Sequence, residues 1–297
     1  MLRVRRKRKV QEKFIEALLF LAAASSVFVT LAIVWILVSE SIPFFSHVSF
    51  SEFFLSKEWS PLFANPQYGI WPLISGTFMT TFIALLVAIP LGTITAAFLS
   101  EYVNPGLKEI LKPILEMLAA VPTVVYGYFA LLFVTPMLQI IFPEMSGFNL
   151  LSAGLVIGIM IVPYVSSLSE DAMRSVPLHL REASFAMGSS RLQTVFRVVI
   201  PAAFSGMTSA YTLAISRALG ETMVVAIAAG MQPNLTLNPL EPAATITAFI
   251  VQVSLGDLPH GSIGYQSIYV AGLTLLILTL TFNVLGLWLR KKFQEKE

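Results

Sequence analysis

The sequence predicts an all-α, polytopic membrane protein with six transmembrane helices. Its residues are 56% hydrophobic and 12% charged, whereas about 25% are charged in an ordinary soluble domain. Six mostly apolar stretches could each cross a hydrocarbon core of about 30 Å as a helix. Backbone groups in lipid need partners within their own segment, so such long stretches favour helices over barrel strands. The six stretches are residues 17–38, 74–99, 117–138, 150–167, 202–229 and 268–289.

The positive charges lie in alternate connecting segments. If the N-terminus is inside, 17 of the 19 Lys and Arg residues fall in cytoplasmic segments. The exceptions are Lys57 in an outer loop and Arg217 inside the fifth span. This bias predicts that both termini are cytoplasmic. The net charge of +2 gives no large basic field, so we expect no nucleic-acid partner. The absence of cysteine excludes a disulfide framework, a thiolate metal site and a cysteine nucleophile.

Four segments organise the chain. Residues 1–16 form a basic N-terminus, whose run at residues 2–9 we expect to be a topology anchor attracted to anionic membrane lipid. The apolar stretch that follows is too long for a signal peptide. Residues 17–73 comprise the first span and an outer loop, residues 74–289 form the core transmembrane domain, and residues 290–297 form the C-terminus.

The first outer loop, residues 39–72, is rich in aromatic residues such as Phe44, Phe53, Trp59 and Tyr68. Side chains of this kind are expected at the membrane interface. Docking of a partner protein is the alternative.

Proline and glycine mark the next elements. Asn104-Pro105-Gly106 predicts a turn after span 2. Span 3, which opens with Lys108, Lys112 and Glu116, contains Pro122 and Pro136, and these are expected to kink it. In span 4, Gly154 and Gly158 permit a close approach of another helix. Within the outer loop 231–264, the apolar segment Ala243–Leu255 is too short to span and favours an interfacial or re-entrant helix.

The inner loop at residues 169–201 has the signals of a bent helical element. Pro177 suits the first turn of a helix, with Ser175 as a possible cap, and Leu178–Met187 can form about three turns. Gly188 suits a left-handed residue at the helix end. A capping box then restarts a helix, which Pro201 is expected to interrupt. A rigid element of this shape can transmit a push from a partner to span 5. The two capping residues are Ser190 and Gln193.

This loop resembles the ATPase-binding loop of ABC importer permeases. Their pattern is Glu-Ala-Ala, three residues, Gly, nine residues, Ile, any residue, Leu, Pro. The matching residues here are Glu182, Ala183, Ser184, Gly188, Val198, Ile200 and Pro201. The resemblance implies a coupling helix in a groove of the ATPase, with Glu182 making the polar contact, Ala183 allowing close approach and Gly188 setting the turn. The alternative is an ordinary loop with a solvated Glu182. No phosphate-binding loop motif is present, so ATP hydrolysis requires a separate polypeptide.

Span 5 contains Arg217 and Glu221, which are four residues apart and are predicted to pair on one face of a continuous helix. Arg217 lies about 24 Å along that helix from Pro201. A charge at this depth faces protein or water and indicates a functional site. Arg217 matches the geometry of an oxyanion, and Glu221 would hold it in place. A structural ion pair is the alternative. A polar stripe runs beside the pair: Ser205, Ser209, Thr212, Ser216 and Gly220.

Three stretches resemble phosphate ABC-transporter permeases over roughly residues 70–290. They are Gly76–Thr81 running to Pro90–Gly92, Ala120–Gly127, and Arg217–Met223. The resemblance implies the type I permease fold and a C-type permease subunit in a bacterial or archaeal cytoplasmic membrane. It places Arg217, Glu221, Ser216 and Thr222 along the substrate pathway.

The implied partners are an A-type permease, a homodimeric ABC ATPase and an extracytoplasmic phosphate-binding protein. We expect no cofactor, no metal site and no catalytic residue. Three alternatives remain: a sulfate or molybdate permease, an ion-coupled secondary transporter, and a non-transporting membrane scaffold.

Overall fold

A computed structural model describes residues 2–63, 65–259 and 261–293, and the side chains within them from residue 12 to residue 292. The side chains of the basic run at residues 2–9, and residues 294–297 of the predicted C-terminal segment, therefore lie outside the described residues. The helices are α1 (Leu2–His47), α2 (Phe50–Leu55), α3 (Trp71–Glu101), α4 (Pro105–Ala119), α5 (Thr123–Phe129), α6 (Thr135–Ile141), α7 (Leu150–Arg174), α8 (Leu178–Ala186), α9 (Arg191–Thr194), α10 (Ile200–Leu219), α11 (Met223–Ala228), α12 (Ile246–Ser254) and α13 (Ile263–Phe293).

The prediction of an all-helical chain with six spans is confirmed within the described residues. Most bounds differ from the predicted ones because the helices continue past the apolar stretches into polar segments. Six helical segments are long and apolar enough to cross a membrane: Glu12–His47, Trp71–Glu101, Thr123–Ile141, Leu150–Arg174, Arg191–Leu219 and Ile263–Lys292.

Helix α7 lies at the centre of the molecule and packs mainly against α3 and α10. A Cβ added to Gly154 would lie 2.7 Å from the Cβ of Ile83, and one added to Gly158 would lie 2.7 Å from the Cβ of Val87. The predicted close helix approach is therefore confirmed, and it occurs between α3 and α7. By contrast, α1 lies at the edge, where it packs on α13 and leaves side chains such as Phe28 exposed.

The two prolines of span 3 act differently from a simple kink. Pro122 separates α4 from α5, so the helix that carries Lys108 and Lys112 is not part of the span. Pro136 lies in the first turn of α6, directly after a π-helical turn at Ala130–Val134. The hydroxyl of Thr135 donates to the carbonyl of Ala130 at 3.0 Å. The wider turn and this hydroxyl accommodate the proline without a break, as in other membrane helices.

Several outer-loop aromatics are buried in a cluster within the protein, and their predicted place at the level of the membrane interface stays a prediction. Phe44, Phe53, Trp59 and Tyr68 are each at most 5% exposed and pack edge to face, and Trp59 also contacts Phe249 of α12. The chain turns back on itself between Trp59 and Tyr68, whose backbones form a bridge. Helix α12 confirms the prediction of a short helix in the second outer loop, and its packing on α13 completes this cluster.

Candidate functional site

The loop at residues 169–201 has most of the predicted local structure. Helix α8 begins after Pro177, and Gly188 follows its end with a φ of 81°. The capping box is present. The backbone amide of Gln193 donates to Ser190 Oγ at 3.3 Å, and the backbone amide of Ser190 donates to Gln193 Oε1 at 2.8 Å. The predictions for Gly188 and for the capping box are confirmed because caps and left-handed residues depend on near neighbours in sequence. The predicted cap at Ser175 is wrong, because its hydroxyl donates to the carbonyl of Ala172 at 2.7 Å and α8 has no side-chain cap.

Arg181 holds α8 against the ends of two spans. Its Nη2 donates to Glu101 Oε1 of α3 at 3.0 Å and to the carbonyl of Met173 of α7 at 2.7 Å. Its Nη1 donates to the carbonyl of Val176 at 2.5 Å. The side chains of Arg181 and Glu101 are 12% and 9% exposed, so this is a largely desolvated anchor. This contact was not predicted from the sequence, although one signal was available: a glutamate just after span 2 and an arginine in the loop.

A second contact joins α8 to α9. The hydroxyls of Ser184 and Thr194 lie 2.9 Å apart, and Thr194 is buried. The serine that replaces alanine in the loop pattern is therefore used for a hydrogen bond that alanine would not form.

The prediction that Pro201 interrupts the helix that begins after Ser190 is wrong. A π-helical turn at Val195–Val199 links α9 to α10, and Pro201 lies in the first turn of α10. The segment Arg191–Leu219 is consequently one continuous helical path from the loop into the span.

The outer face of α8 is exposed and partly apolar. Glu182 and Ala183 are exposed, as are Leu178, Phe185 and Met187, the last at 86%. Large exposed apolar side chains on a polar loop favour a protein interaction surface.

Glu170, near the end of α7, forms a buried ionic cluster at the start of this loop. Its carboxylate is 0% exposed and accepts from Lys108 and, at 2.8 Å, from Lys112. Lys112 also lies 3.1 Å from Asp171. Burial lowers the pKa of Lys112, but its hydrogen bonds and charge contacts with Glu170 and Asp171 outweigh this and hold the pKa above the usual value. The cluster attaches α4 to the end of α7.

Span 5 ends at Leu219, before Glu221. One carboxylate oxygen of Glu221 accepts from the amides of Met223 at 3.1 Å and Val224 at 3.3 Å, at the start of α11. The carbonyl of Glu221 accepts from the hydroxyl of Thr247 of α12 at 2.6 Å. The predicted continuous helix is therefore wrong. Glu221 instead stabilises the start of the next helix, where backbone amides lack partners.

Arg217 does not pair with Glu221 in the described part of the chain, which corrects the predicted ion pair. Its Cζ lies 4.1 Å from the centre of the Tyr164 ring of α7. Its Nε is buried and has no hydrogen-bond partner among the described residues. Tyr164 was not predicted from the sequence, because no motif distinguishes it from other aromatic residues in the spans.

The remaining predicted pathway residues form local contacts. Ser216 donates to Asn283 Oδ1 of α13 at 2.9 Å, and Thr222 donates to the carbonyl of Gly220 at 3.1 Å. A Cβ added to Gly286 of α13 would lie 2.1 Å from Thr212 Oγ1. The polar stripe of span 5 thus packs in part against α13 rather than beside a charged pair.

Comparison with known proteins identifies the family. A family model described as "Binding-protein-dependent transport system inner membrane component" matches residues 88–296. The chain belongs to this family. It is a multi-pass membrane protein and a permease subunit of an ABC importer, and members of this family are not catalytic.

Curated relatives of this permease match about four fifths of its length. It is 36% identical to the probable ABC transporter permease protein YqgH of Bacillus subtilis, over 80% of this chain and 77% of that protein. It is 33% identical to the phosphate transport system permease protein PstC of Mesorhizobium japonicum, over 79% of this chain and 76% of that protein. It is 31% identical to PstC of Xylella fastidiosa, over 82% of this chain and 80% of that protein.

Solved structures support the same fold for this permease. A bacterial ABC transporter that imports the acidic polysaccharide alginate aligns with a TM-score of 0.62 at 15% identity, over 91% of this chain and 96% of that chain. An inward-facing structure of the MetNI methionine ABC transporter aligns with a TM-score of 0.56 at 20% identity, over 76% and 95%. The predicted ABC importer permease fold is confirmed.

The packing also indicates how deep Arg217 lies in the permease. A Cβ added to Gly206 of α10 would lie 2.7 Å from the Cβ of Ala172, at the charged end of α7. Arg217 lies about 16 Å further along α10, at 1.5 Å per residue. This distance is about half the thickness of a hydrocarbon core of about 30 Å, and it places Arg217 in the last turn of α10.

Proposed function

We propose that this permease is the C-type subunit of an importer of inorganic phosphate. The observation that carries the proposal is Arg217: a guanidinium in the last turn of a membrane-spanning helix that has no carboxylate partner among the described residues. A cation within a membrane-spanning segment needs a counter-charge or water, and a guanidinium matches a phosphate by bidentate hydrogen bonding. The relatives named as phosphate transport permeases support phosphate as the anion.

The pathway in this proposal passes the break in span 5, between this subunit and a similar A-type permease. Arg217 binds the phosphate as it passes. Glu221 maintains the shape of the break through its bonds to α11, while Ser216 and Thr222 flank it. Helix breaks near the bilayer midplane are a recurring location for substrate sites in transporters.

A separate homodimeric ABC ATPase supplies the energy, and an extracytoplasmic phosphate-binding protein delivers the substrate. The ATPase binds the loop at residues 169–201, which places this loop and both termini in the cytoplasm. The exposed face of α8 with Glu182 and Ala183 enters a groove of the ATPase, and Gly188 sets the turn behind it. Closure of the ATPase then tilts the continuous helix from Arg191 to Leu219 and opens the path past Arg217 outward.

Replacing Gly188 with valine is expected to weaken binding of the ATPase. A β-branched residue is strongly disfavoured at a φ of 81°, so the turn after α8 would have to change. The measurement is copurification of the ATPase with the tagged permease. Gly106→Val is the matched control, because a Cβ added to Gly106 meets no atom within 4 Å and its φ is not positive. Equal recovery of the ATPase with both variants would contradict the docking role.

The function is tested by uptake of radiolabelled phosphate into vesicles that contain the permease with its co-expressed partners. We expect uptake that requires both ATP and the ATPase subunit and that unlabelled phosphate suppresses. Uptake without ATP would instead indicate an ion-coupled secondary transporter. Suppression by sulfate or molybdate but not by phosphate would identify a permease for another oxyanion. ATP-dependent uptake of none of these anions would overturn the proposal.

A further inference from the structure

Tyr164 provides the contact that holds the guanidinium of Arg217. The two residues come from different spans, α7 and α10, and the Arg217 Cζ lies 4.1 Å from the ring centre. An aromatic face attracts a cation at this distance, and the attraction is stronger where water is scarce. The Tyr164 hydroxyl donates to the carbonyl of Ala119 at 3.4 Å, near the break between α4 and α5.

The carboxylate that usually pairs with an arginine in a membrane-spanning segment is not used here. Glu221, the nearest acidic residue in sequence, accepts backbone amides of α11, and no ion pair joins it to Arg217 in the described residues. The Nε of Arg217 has no hydrogen-bond partner in the part of the chain that the structure describes. A ring holds a guanidinium through its face and accepts none of its in-plane N–H groups.

We propose that Tyr164 is a positioning residue that presents Arg217 to the transported anion. This inference rests on the proposed function, because it assigns Arg217 to the pathway. The ring orients the guanidinium plane and leaves its N–H donors available to an oxyanion. A carboxylate in the same place would use those donors and compete with the anion for the positive charge.

The arrangement also suits a site that must release what it binds. An uncharged ring leaves the positive charge of Arg217 in place when the anion departs. It does not add a second charge that would have to be desolvated when the pathway closes.

The test compares three substitutions of Tyr164 in the complete transporter, with phosphate uptake as the measurement. Tyr164→Phe and Tyr164→Trp keep an aromatic face, so we expect a KM for phosphate within about twofold of that of the unmodified protein. Tyr164→Leu removes the face, and we expect the KM to rise roughly five- to thirtyfold, the range that corresponds to one cation–π contact.

Tyr126→Leu is the matched control for the loss of a ring. The Tyr126 hydroxyl donates to the carbonyl of Leu118 at 2.7 Å, beside the residue that Tyr164 contacts, but no cation stacks on the Tyr126 ring among the described residues. We expect its KM to stay close to that of the unmodified protein, even if the maximal rate falls through a packing defect.

Two results would overturn this inference: an unchanged KM in Tyr164→Leu, or an equal rise in Tyr164→Phe and Tyr164→Leu. A failure of the proposed function is distinguishable, because the unmodified transporter would then import no phosphate. If it imported another oxyanion, the same comparison would be made with that anion.

Discussion

Replacing Arg217 with glutamine is expected to reduce phosphate uptake by at least about a hundredfold, the effect of removing a preorganised charged donor from a site that excludes water. Glutamine keeps polar donors but removes the positive charge and the planar fork. Arg217→Lys keeps the positive charge but concentrates it on one ammonium group without the planar fork. We expect its uptake to lie between that of the unmodified protein and that of Arg217→Gln. The measurement is ATP-dependent uptake of radiolabelled phosphate into vesicles with the partner subunits present.

Arg290→Gln is the matched control, because it removes an exposed arginine from the last turn of α13. We expect it to retain uptake. A second comparison tests the geometry: a paired Arg217 and Glu221 would show partial rescue in the double variant Arg217→Gln with Glu221→Gln. Because Glu221 caps α11, we expect that rescue to be absent. Unchanged uptake in Arg217→Gln would remove this residue from the pathway.

Replacing Glu170 with glutamine is expected to destabilise the permease by about 3 kcal/mol, the lower end of the range for breaking a buried ion pair. The substitution leaves the ammonium groups of Lys108 and Lys112 beside a neutral amide in a buried position. The lower end applies because the two lysines remain 17% and 27% exposed. The measurement is the thermal unfolding midpoint of the purified permease, with recovery of intact protein as a second readout.

Asp171→Asn is the matched control in the same cluster. Asp171 is 60% exposed and contacts only Lys112 among the cluster's lysines, so we expect a change of less than about 1 kcal/mol. Replacing Glu170 together with both lysines by apolar residues of similar size is expected to recover most of the lost stability. Equal midpoints for Glu170→Gln and Asp171→Asn would contradict the assignment of Glu170 as the centre of the cluster.

Features that depend on near neighbours were predictable from the sequence. The six spans follow from the length of the apolar stretches, because a bilayer imposes the same length on any helix that crosses it. The turn at Gly188 and the capping box at Ser190 follow from residues within one helical turn of each other. The close contact of Gly154 and Gly158 was predictable as an approach, although the sequence did not identify α3 as the partner.

The end of span 5 shows why other features were not predictable. Residues 202–229 are apolar enough to read as one helix, and Gly220, one of two glycines within them, is a weak stop signal. The break is stabilised by a contact from far along the chain, the hydroxyl of Thr247 on the carbonyl of Glu221. With the helix broken there, the four-residue spacing of Arg217 and Glu221 no longer places them on one face.

The sequence by itself determined the class of this protein, its six spans, and the turn and capping box of the loop at residues 169–201. The tertiary structure alone decided what surrounds Arg217. Tyr164 lies 53 residues earlier on a different helix, and only the packing of α7 against α10 brings its ring to the guanidinium. Local pattern sets which helices form, because hydrogen bonds, caps and membrane length act over short stretches of chain. The partner of a buried charge is set by which helices pack together, because a cation in low dielectric takes the nearest group that offsets its lost hydration.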